Sequence, residues 1–148
     1  MLELVQGRPY ADVAGLEQAT GTAGWTSPVI APKVTMHESL PGAAGWHETI
    51  RGRFEVVWSN QTTATGGQDT TFTLQATLPA NVAGVVRIPI AAGTDVSTVS
   101  ATEGGTSIFA AGAYKPGVAG ITGAAINAAT NTLDVNVGSG TYNFVLTA

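Results

Sequence analysis

The stretch TFTLQATL, residues 71–78, alternates strictly between polar and apolar side chains. Phe72, Leu74, Ala76 and Leu78 fall on one side, and Thr or Gln residues fall on the other. Successive side chains of a β-strand point to opposite faces, so this pattern indicates a strand with one face in a core and one polar face. The high Thr content fits as well, because β-branched side chains favour a pleated surface.

The same two-residue period recurs on both sides of that stretch. It is present at residues 53–58 (RFEVVW), 133–137 (LDVNV) and 142–147 (YNFVLT). Clusters of Gly, Asp, Asn and Pro separate the runs, as expected of a sandwich or barrel. We therefore predict an all-β fold, an antiparallel, jelly-roll-like β-sandwich with a short N-terminal arm.

Several of the Gly and Pro positions predict specific turns. Residues 66–69 (GGQD) and 138–140 (GSG) are expected to close hairpins, the second of which joins the last two strands. Pro89 cannot donate to a ladder, so its strand is expected to be an edge strand or to end there. The Ala- and Gly-rich segment 110–129 predicts a long loop with one short strand near residues 121–126.

The 148 residues are the size of one domain. Residues 1–24 lack the two-residue period and are predicted to form an N-terminal arm or linker, while residues 25–148 form the β-sandwich domain. The start of the chain shows neither the basic nor the apolar region of a signal peptide. No apolar run approaches the roughly 18 residues needed to span a bilayer. These features favour an extracellular or virion location over a membrane one, and we expect no membrane partner.

Charged side chains make up only 11% of the chain, against roughly 25% in an average soluble domain. The surface must therefore be neutral and polar, which suits contact with another protein or with carbohydrate. The net charge is −4, and the six basic residues are scattered apart from Arg51 and Arg53. Nucleic acid is accordingly not an expected partner, because binding its backbone draws on clustered Lys and Arg.

The sequence offers no recognisable catalytic or metal-binding motif. Both histidines precede Glu, at 37–38 and 47–48, but the zinc-protease pattern requires a second His four residues after the first. Those positions hold Pro41 and Arg51, and in a strand the 47–48 pair would point to opposite faces. The chain also has no cysteine, which excludes thiolate nucleophiles and Cys-based zinc sites. We predict no metal site and no cofactor.

Hydrolase chemistry is not indicated either. The nucleophile-elbow pattern Gly-x-Ser-x-Gly is absent. A glycosidase needs two carboxylates that flank the scissile bond, and Glu48 and Glu55, seven residues apart, would lie on opposite faces of one regular strand. We therefore predict no catalytic residues and no enzymatic activity.

Aromatic side chains are the better candidates for a binding site, because exposed rings stack on the apolar faces of sugars. Trp58 keeps step with Phe54 and is expected in the core. Trp25 and Trp46 each follow a glycine in a loop-like setting, and Tyr114 lies in the Gly- and Ala-rich segment. Our candidate ligand-binding residues are therefore Trp46, Tyr114 and Trp25.

A series of short runs, taken in chain order, points to a known family. The runs are VAGL (13–16), GW (24–25) and IAPK (30–33); HET (47–49), Gly52 and VW (57–58); FTL (72–74), LPAN (78–81) and VRIP (86–89); and VGSGTYNF (137–144). In order and approximate spacing, over about residues 13–146, they resemble the C-terminal β-sandwich domain of α-L-rhamnosidases, large glycosidases whose catalytic part is a barrel of helices.

This resemblance implies a jelly-roll-like accessory domain associated with a glycan-active enzyme. The catalytic barrel is absent from the chain, so the family's catalytic carboxylates map onto no residue here. Residues 110–131 also depart from the family pattern, because this stretch is longer and richer in Gly and Ala.

Two functions remain open on the sequence alone. The first is an accessory module that binds carbohydrate weakly or braces a catalytic partner. The second is a self-assembling structural protein, such as a phage capsid decoration protein or a filament subunit, in which the low charge and the N-terminal arm would serve a homo-oligomer or capsid. Jelly-roll sandwiches are common in capsid-associated proteins, although a fold by itself does not determine a function.

Overall fold

The part of the chain that can be described folds almost entirely into β-strands. The structure, a computed structural model, describes residues 2–5, 16–18, 28–32, 42–62, 70–90 and 95–147. These residues contain thirteen strands and one short 3-10 helix at Val96–Thr98. The strands are β1 (Leu2–Val5), β2 (Leu16–Gln18), β3 (Pro28–Ile30), β4 (Gly42–Thr49), β5 (Gly52–Thr62), β6 (Thr70–Leu78), β7 (Gly84–Pro89), β8 (Ser100–Glu103), β9 (Thr106–Ala110), β10 (Ala113–Tyr114), β11 (Ile121–Asn127), β12 (Thr132–Val137) and β13 (Gly140–Thr147).

The strands form two sheets with different sizes. The larger sheet has eight strands in the order β1-β4-β5-β6-β13-β8-β9-β10, and the smaller has five in the order β11-β12-β7-β3-β2. Neighbouring strands are antiparallel except for the β1–β4 and β3–β7 pairs, which are parallel. The prediction of an all-β, antiparallel-rich sandwich is confirmed.

The hydrophobic core lies between the two sheets, and the alternating runs supply it from both sides. Trp58 on β5 is 0% exposed and stacks on Phe72 of β6, with 5.7 Å between ring centroids. Val86, Ile88 and Leu133 of the smaller sheet are equally buried. The core position predicted for Trp58 is thus confirmed, as is the strand character of the residues on either side of it.

The predicted turns have different outcomes. β5 and β6 are antiparallel and pair up to the Thr62↔Thr70 register, but the turn predicted at residues 66–69 lies outside the described residues. β7 ends at Pro89, as one of the two alternatives predicted. The strand expected near residues 121–126 is present as β11, but the expectation of loop for the rest of segment 110–129 was wrong at Ala113–Tyr114, which form β10 beside β9.

One predicted turn was wrong. Residues 138–140 do not close a hairpin, because β12 pairs with β11 and β7 in the smaller sheet while β13 pairs with β6 and β8 in the larger. The Gly-Ser-Gly sequence instead carries the chain from one layer to the other. A glycine-rich turn has the same composition in both roles, so only the pairing of the strands distinguishes them.

The N-terminal segment contributes one described strand to each sheet. β1 is the edge strand of the larger sheet beside β4, and β2 is the edge strand of the smaller sheet beside β3. The remaining residues of the predicted arm, 1–24, lie outside the described part of the chain.

Candidate functional site

The β4–β5 hairpin presents the most distinctive group of surface side chains. Its strands are aligned by the pairs Trp46↔Glu55 and His47↔Phe54. Phe54 is 0% exposed and points into the core, so Trp46 and Glu55 must lie on the opposite, outer face of the sheet. Trp46 therefore belongs to a strand, and the loop-like setting inferred from Gly45 was wrong.

The hairpin ends in a tight two-residue turn that fixes its tip. Thr49 Oγ1 donates to the carbonyl of Gly52 (2.9 Å) and accepts from the backbone N–H of Arg51 (3.0 Å). Gly52 has a φ of +127°, and a Cβ at this position would lie 2.7 Å from Cβ of Pro79. Only glycine satisfies both constraints. The side chain of Ile50, at the tip, is 92% exposed.

Arg53 organises the outer face of the hairpin. Its guanidinium carbon lies 4.4 Å from the ring centroid of Trp46, which is within the range of a cation–π interaction. Two carboxylates flank the same guanidinium, Glu48 at 3.8 Å from Nε and Glu55 at 3.8 Å from Nη2. We call Trp46, Glu48, Ile50, Arg53 and Glu55 the hairpin patch.

The position of the two carboxylates corrects a prediction. Glu48 and Glu55 were expected on opposite faces of one continuous strand, but the turn after Thr49 reverses the chain. The register Glu48↔Arg53 and Trp46↔Glu55 places both carboxylates on the outer face. They lie on either side of the Arg53 guanidinium.

Tyr114 occupies a structural position at the far end of the larger sheet. It lies on β10 opposite Phe109, its ring packs against the core, and its hydroxyl donates to the carbonyl of Ile121 (3.1 Å). The hydroxyl thereby ties β10 of the larger sheet to β11 of the smaller one.

The structure does not bring the predicted aromatic residues together. Trp46 and Tyr114 lie on strands six places apart in the larger sheet, about 29 Å along it at ~4.8 Å per strand. They also face opposite sides, since Trp46 is on the outer face and Tyr114 on the core side. Trp25 lies outside the described residues.

A second feature of the outer face was not predicted. A shallow depression of about 300 Å³ lies over β5, β6 and β13, and Trp58, Leu74 and Phe144 contribute to its lining. Six outward side chains line this central depression, two from each strand: Val57 and Ser59, Thr73 and Gln75, Asn143 and Val145. Alternation predicts that these side chains point away from the core, but no feature of the sequence indicates that β13 is a neighbour of β6.

Two groups in the described ranges have clearly shifted pKa values, and both lie outside the hairpin patch. Burial, followed by the negative charge of Glu103, raises the pKa of Tyr142 in the core. Hydrogen bonds from Ser97 lower the pKa of Asp95, which caps the 3-10 helix. Within the described ranges, no three His, Asp or Glu side chains gather as metal ligands would. The described residues include no helix of a length and hydrophobicity that would span a lipid bilayer.

A protein-family model matches more than half of the chain. The family model of the bacterial alpha-L-rhamnosidase C-terminal domain matches residues 15–103, which include β2 to β8 and hence the whole hairpin patch. No curated protein matches the chain.

Comparison with solved structures shows that parts of two alpha-L-rhamnosidases share the fold of this chain. The alpha-L-rhamnosidase from Dictyoglumus thermophilum aligns with 94% of this chain at a TM-score of 0.64 and 22% sequence identity. The Streptomyces avermitilis alpha-L-rhamnosidase, crystallised in complex with L-rhamnose, aligns with 92% of it at a TM-score of 0.55 and 21% identity. The chain spans only 13% and 10% of the length of these two proteins.

Proposed function

Because the chain belongs to the family of bacterial α-L-rhamnosidase C-terminal domains, we propose that it is a non-catalytic accessory module that braces a catalytic partner through the hairpin patch. The observation that carries this proposal is the combination, on one rigid hairpin, of an exposed apolar tip and a Trp46–Arg53 stack. The partner is the catalytic part of an α-L-rhamnosidase-type enzyme, in the same polypeptide or in another.

The composition of the hairpin patch suits a protein interface. Trp and Arg are the residue types most enriched among the side chains that dominate binding energy. Arg53 already covers Trp46 at 4.4 Å, so the pair presents a preformed flat surface rather than an open ring for a sugar. Ile50 adds an apolar side chain that is 92% exposed and gains contacts only when a partner covers it.

The rigidity of the hairpin also supports a docking role. The turn is held by both hydrogen bonds of Thr49, and Gly52 packs directly on Pro79. A preorganised element loses little conformational entropy on binding, so more of the contact energy appears as affinity.

The non-catalytic part of the proposal is supported by the same residues. Glu48 and Glu55 both pair with Arg53, an arrangement that a surface ion-pair network accounts for without a catalytic role. We expect the purified chain to release no nitrophenol from nitrophenyl α-L-rhamnoside. Turnover that disappears with Glu48→Gln or Glu55→Gln would contradict the proposal.

A chimeric enzyme tests the bracing role. The segment of the Dictyoglumus thermophilum enzyme that aligns with this chain would be deleted, or replaced by this chain, and the Tm of the two proteins compared. We expect the replacement to unfold at a higher temperature than the deletion. A replacement with Ile50→Asp or Trp46→Ala should lose that gain.

Two controls make the result specific. Val96→Asp changes another exposed apolar side chain, 46% exposed and remote in sequence from the hairpin, and should leave the gain intact. In the isolated chain, Ile50→Asp should not change the Tm, because that side chain has almost no contacts to lose. Equal Tm values for the chimera with and without the hairpin substitutions would contradict the proposal.

The self-assembling alternative predicts a different oligomeric state for the isolated chain, which light scattering measures. An accessory module should elute as a monomer near its chain mass of 14.9 kDa. A large, defined oligomer of the chain alone would favour the structural alternative over bracing.

A further inference from the structure

The central depression differs chemically from the rest of the outer face of the larger sheet. Hydroxyl groups on this face are tied in cross-strand pairs: Ser59 with Thr73 (2.5 Å) within the depression, and Thr77 with Thr141 (3.2 Å) and Ser100 with Thr147 (2.7 Å) outside it. Between these pairs lie Gln75 and Asn143, which are directly opposite each other on β6 and β13.

The two amides are available to a ligand. Both residues are exposed, and neither side-chain amide is hydrogen-bonded to another described residue. Directly opposite residues have Cβ atoms about 5 Å apart, so the two amides can reach one small molecule at the same time. Each amide offers both donors and an acceptor.

Apolar contact is provided beside the amides. Val57 is aligned with Gln75 across β5 and β6, and Val145 lies two residues beyond Asn143 on β13. Both valines are half-buried, and no charged side chain lines the depression. The depression therefore combines neutral hydrogen-bonding groups with two aliphatic contacts, which matches a ring that carries hydroxyl groups around an apolar face.

We propose that the central depression is a weak binding site for a single neutral pyranose ring, held by hydrogen bonds to the amides of Gln75 and Asn143 and by contact with Val57 and Val145. This site goes beyond the proposed bracing role, which depends on the hairpin patch. A charged sugar is disfavoured, because nothing in the lining would compensate its charge. An added peptide strand is also disfavoured, because β6 is paired on both sides and offers no free edge.

The size of the depression sets the expected affinity. About 300 Å³ is at the lower end of ligand-binding pockets, which suits one sugar ring rather than a chain. The depression is open and carries few contacts, so we expect a Kd on the order of 1 mM or weaker.

The experiment is an NMR titration of the whole ¹⁵N-labelled chain with L-rhamnose, D-glucose and D-galactose, and with D-glucuronate as the charged comparison. We expect at least one neutral sugar to shift the side-chain NH₂ signals of Gln75 and Asn143, and D-glucuronate to shift them less. Asn143→Ala and Gln75→Ala should each weaken that binding about fivefold, the loss of one hydrogen bond.

Asn136→Ala is the matched control, because Asn136 is also exposed but lies on β12 of the smaller sheet. It should leave the titration unchanged. The proposal is overturned if none of the three neutral sugars shifts these signals up to about 100 mM, or if Asn143→Ala binds as well as the unmodified chain. It is also overturned if the signals shift with protein concentration alone, which would mark the face as a contact between copies of this chain.

The outcome is separable from that of the bracing proposal. Asn143→Ala leaves the hairpin patch intact and should not change the Tm of the chimera, whereas Ile50→Asp should not change the sugar titration.

Discussion

Gly120 lies so close to the hydroxyl of Tyr142 that a Cβ atom on Gly120 would overlap it. The same hydroxyl donates to the carbonyls of Gly138 (3.0 Å) and Ser139 (3.2 Å), and the backbone N–H of Gly138 donates to the carbonyl of Gly120 (2.8 Å). This cluster locks the crossing between the two sheets, where the chain passes from β12 to β13.

Gly120→Ala should therefore be strongly destabilising. Gly120 has a φ of +86°, so alanine adds backbone strain of about 1 kcal/mol or more. The displaced Tyr142 adds an overpacking cost of about 1–3 kcal/mol. Urea unfolding should show a total loss of about 2–4 kcal/mol in the free energy of unfolding.

Gly112→Ala is the matched control for that substitution. Gly112 also has a positive φ, +77°, but nothing lies within 4 Å of its would-be Cβ. It should lose only the backbone cost of about 1 kcal/mol. Equal losses for the two variants would mean that the contact with Tyr142 is unimportant.

The raised pKa of Tyr142 predicts a specific loss of stability in alkali. The ordinary pKa is 10.0, and burial together with Glu103 raises it in the folded state. The folded protein therefore favours the neutral phenol, and the contribution of this group is fully present below pH 10.0 and declines as the pH rises through the folded pKa. Between about pH 8 and pH 11, the unmodified chain should lose more stability than Tyr142→Phe. Parallel curves for the two proteins would show that Tyr142 does not titrate differently on folding.

The core and most strands could be predicted from the sequence because both depend on local alternation. Residues 71–78 have buried side chains at every second position, as their pattern required. Trp58 could be assigned to the core for the same reason.

Features that depend on which strands meet could not be predicted in this way. The turn after Thr49 brings Glu48 and Glu55 to one face, and the pairing of β13 with β6 aligns Gln75 with Asn143. Both arrangements depend on the register between paired strands, and alternation within a single strand carries no information on register. The same limit applies to residues 138–140, whose composition fits a hairpin and a sheet crossing equally well.

On the outer face of the smaller sheet, Arg87 and Asp134 form a coupled pair that a double-mutant cycle should reveal. Arg87 Nε is buried without a hydrogen-bond partner and lies 3.6 Å from Asp134 Oδ2. Asp134 also accepts from Asn127 Nδ2 (3.0 Å) and Thr132 Oγ1 (2.6 Å). Asp134→Ala should cost about 1–3 kcal/mol, since it leaves several polar groups unpaired.

The cycle distinguishes coupling from simple loss of contacts. Arg87→Met combined with Asp134→Ala should cost less than the sum of the two single substitutions, by about 1 kcal/mol. The readout is the free energy of unfolding in urea for all four proteins. Strict additivity would show that the two side chains stabilise the sheet independently.

Substitutions of Trp58 test how far the stability of the larger sheet depends on its buried aromatic side chains. The ring is 0% exposed and stacks on Phe72, so Trp58→Ala removes a large buried side chain and leaves a cavity. Such substitutions cost about 3–5 kcal/mol, a large share of the 5–15 kcal/mol free energy of unfolding of a typical domain.

Trp58→Phe keeps an aromatic ring in the same place and should lose clearly less of the free energy of unfolding. Ile50→Ala, at the exposed hairpin tip, should stay within about 0.5 kcal/mol of the unmodified chain. Chemical unfolding measures all three, and a loss for Trp58→Ala no larger than that for Ile50→Ala would refute the packing described for the sandwich.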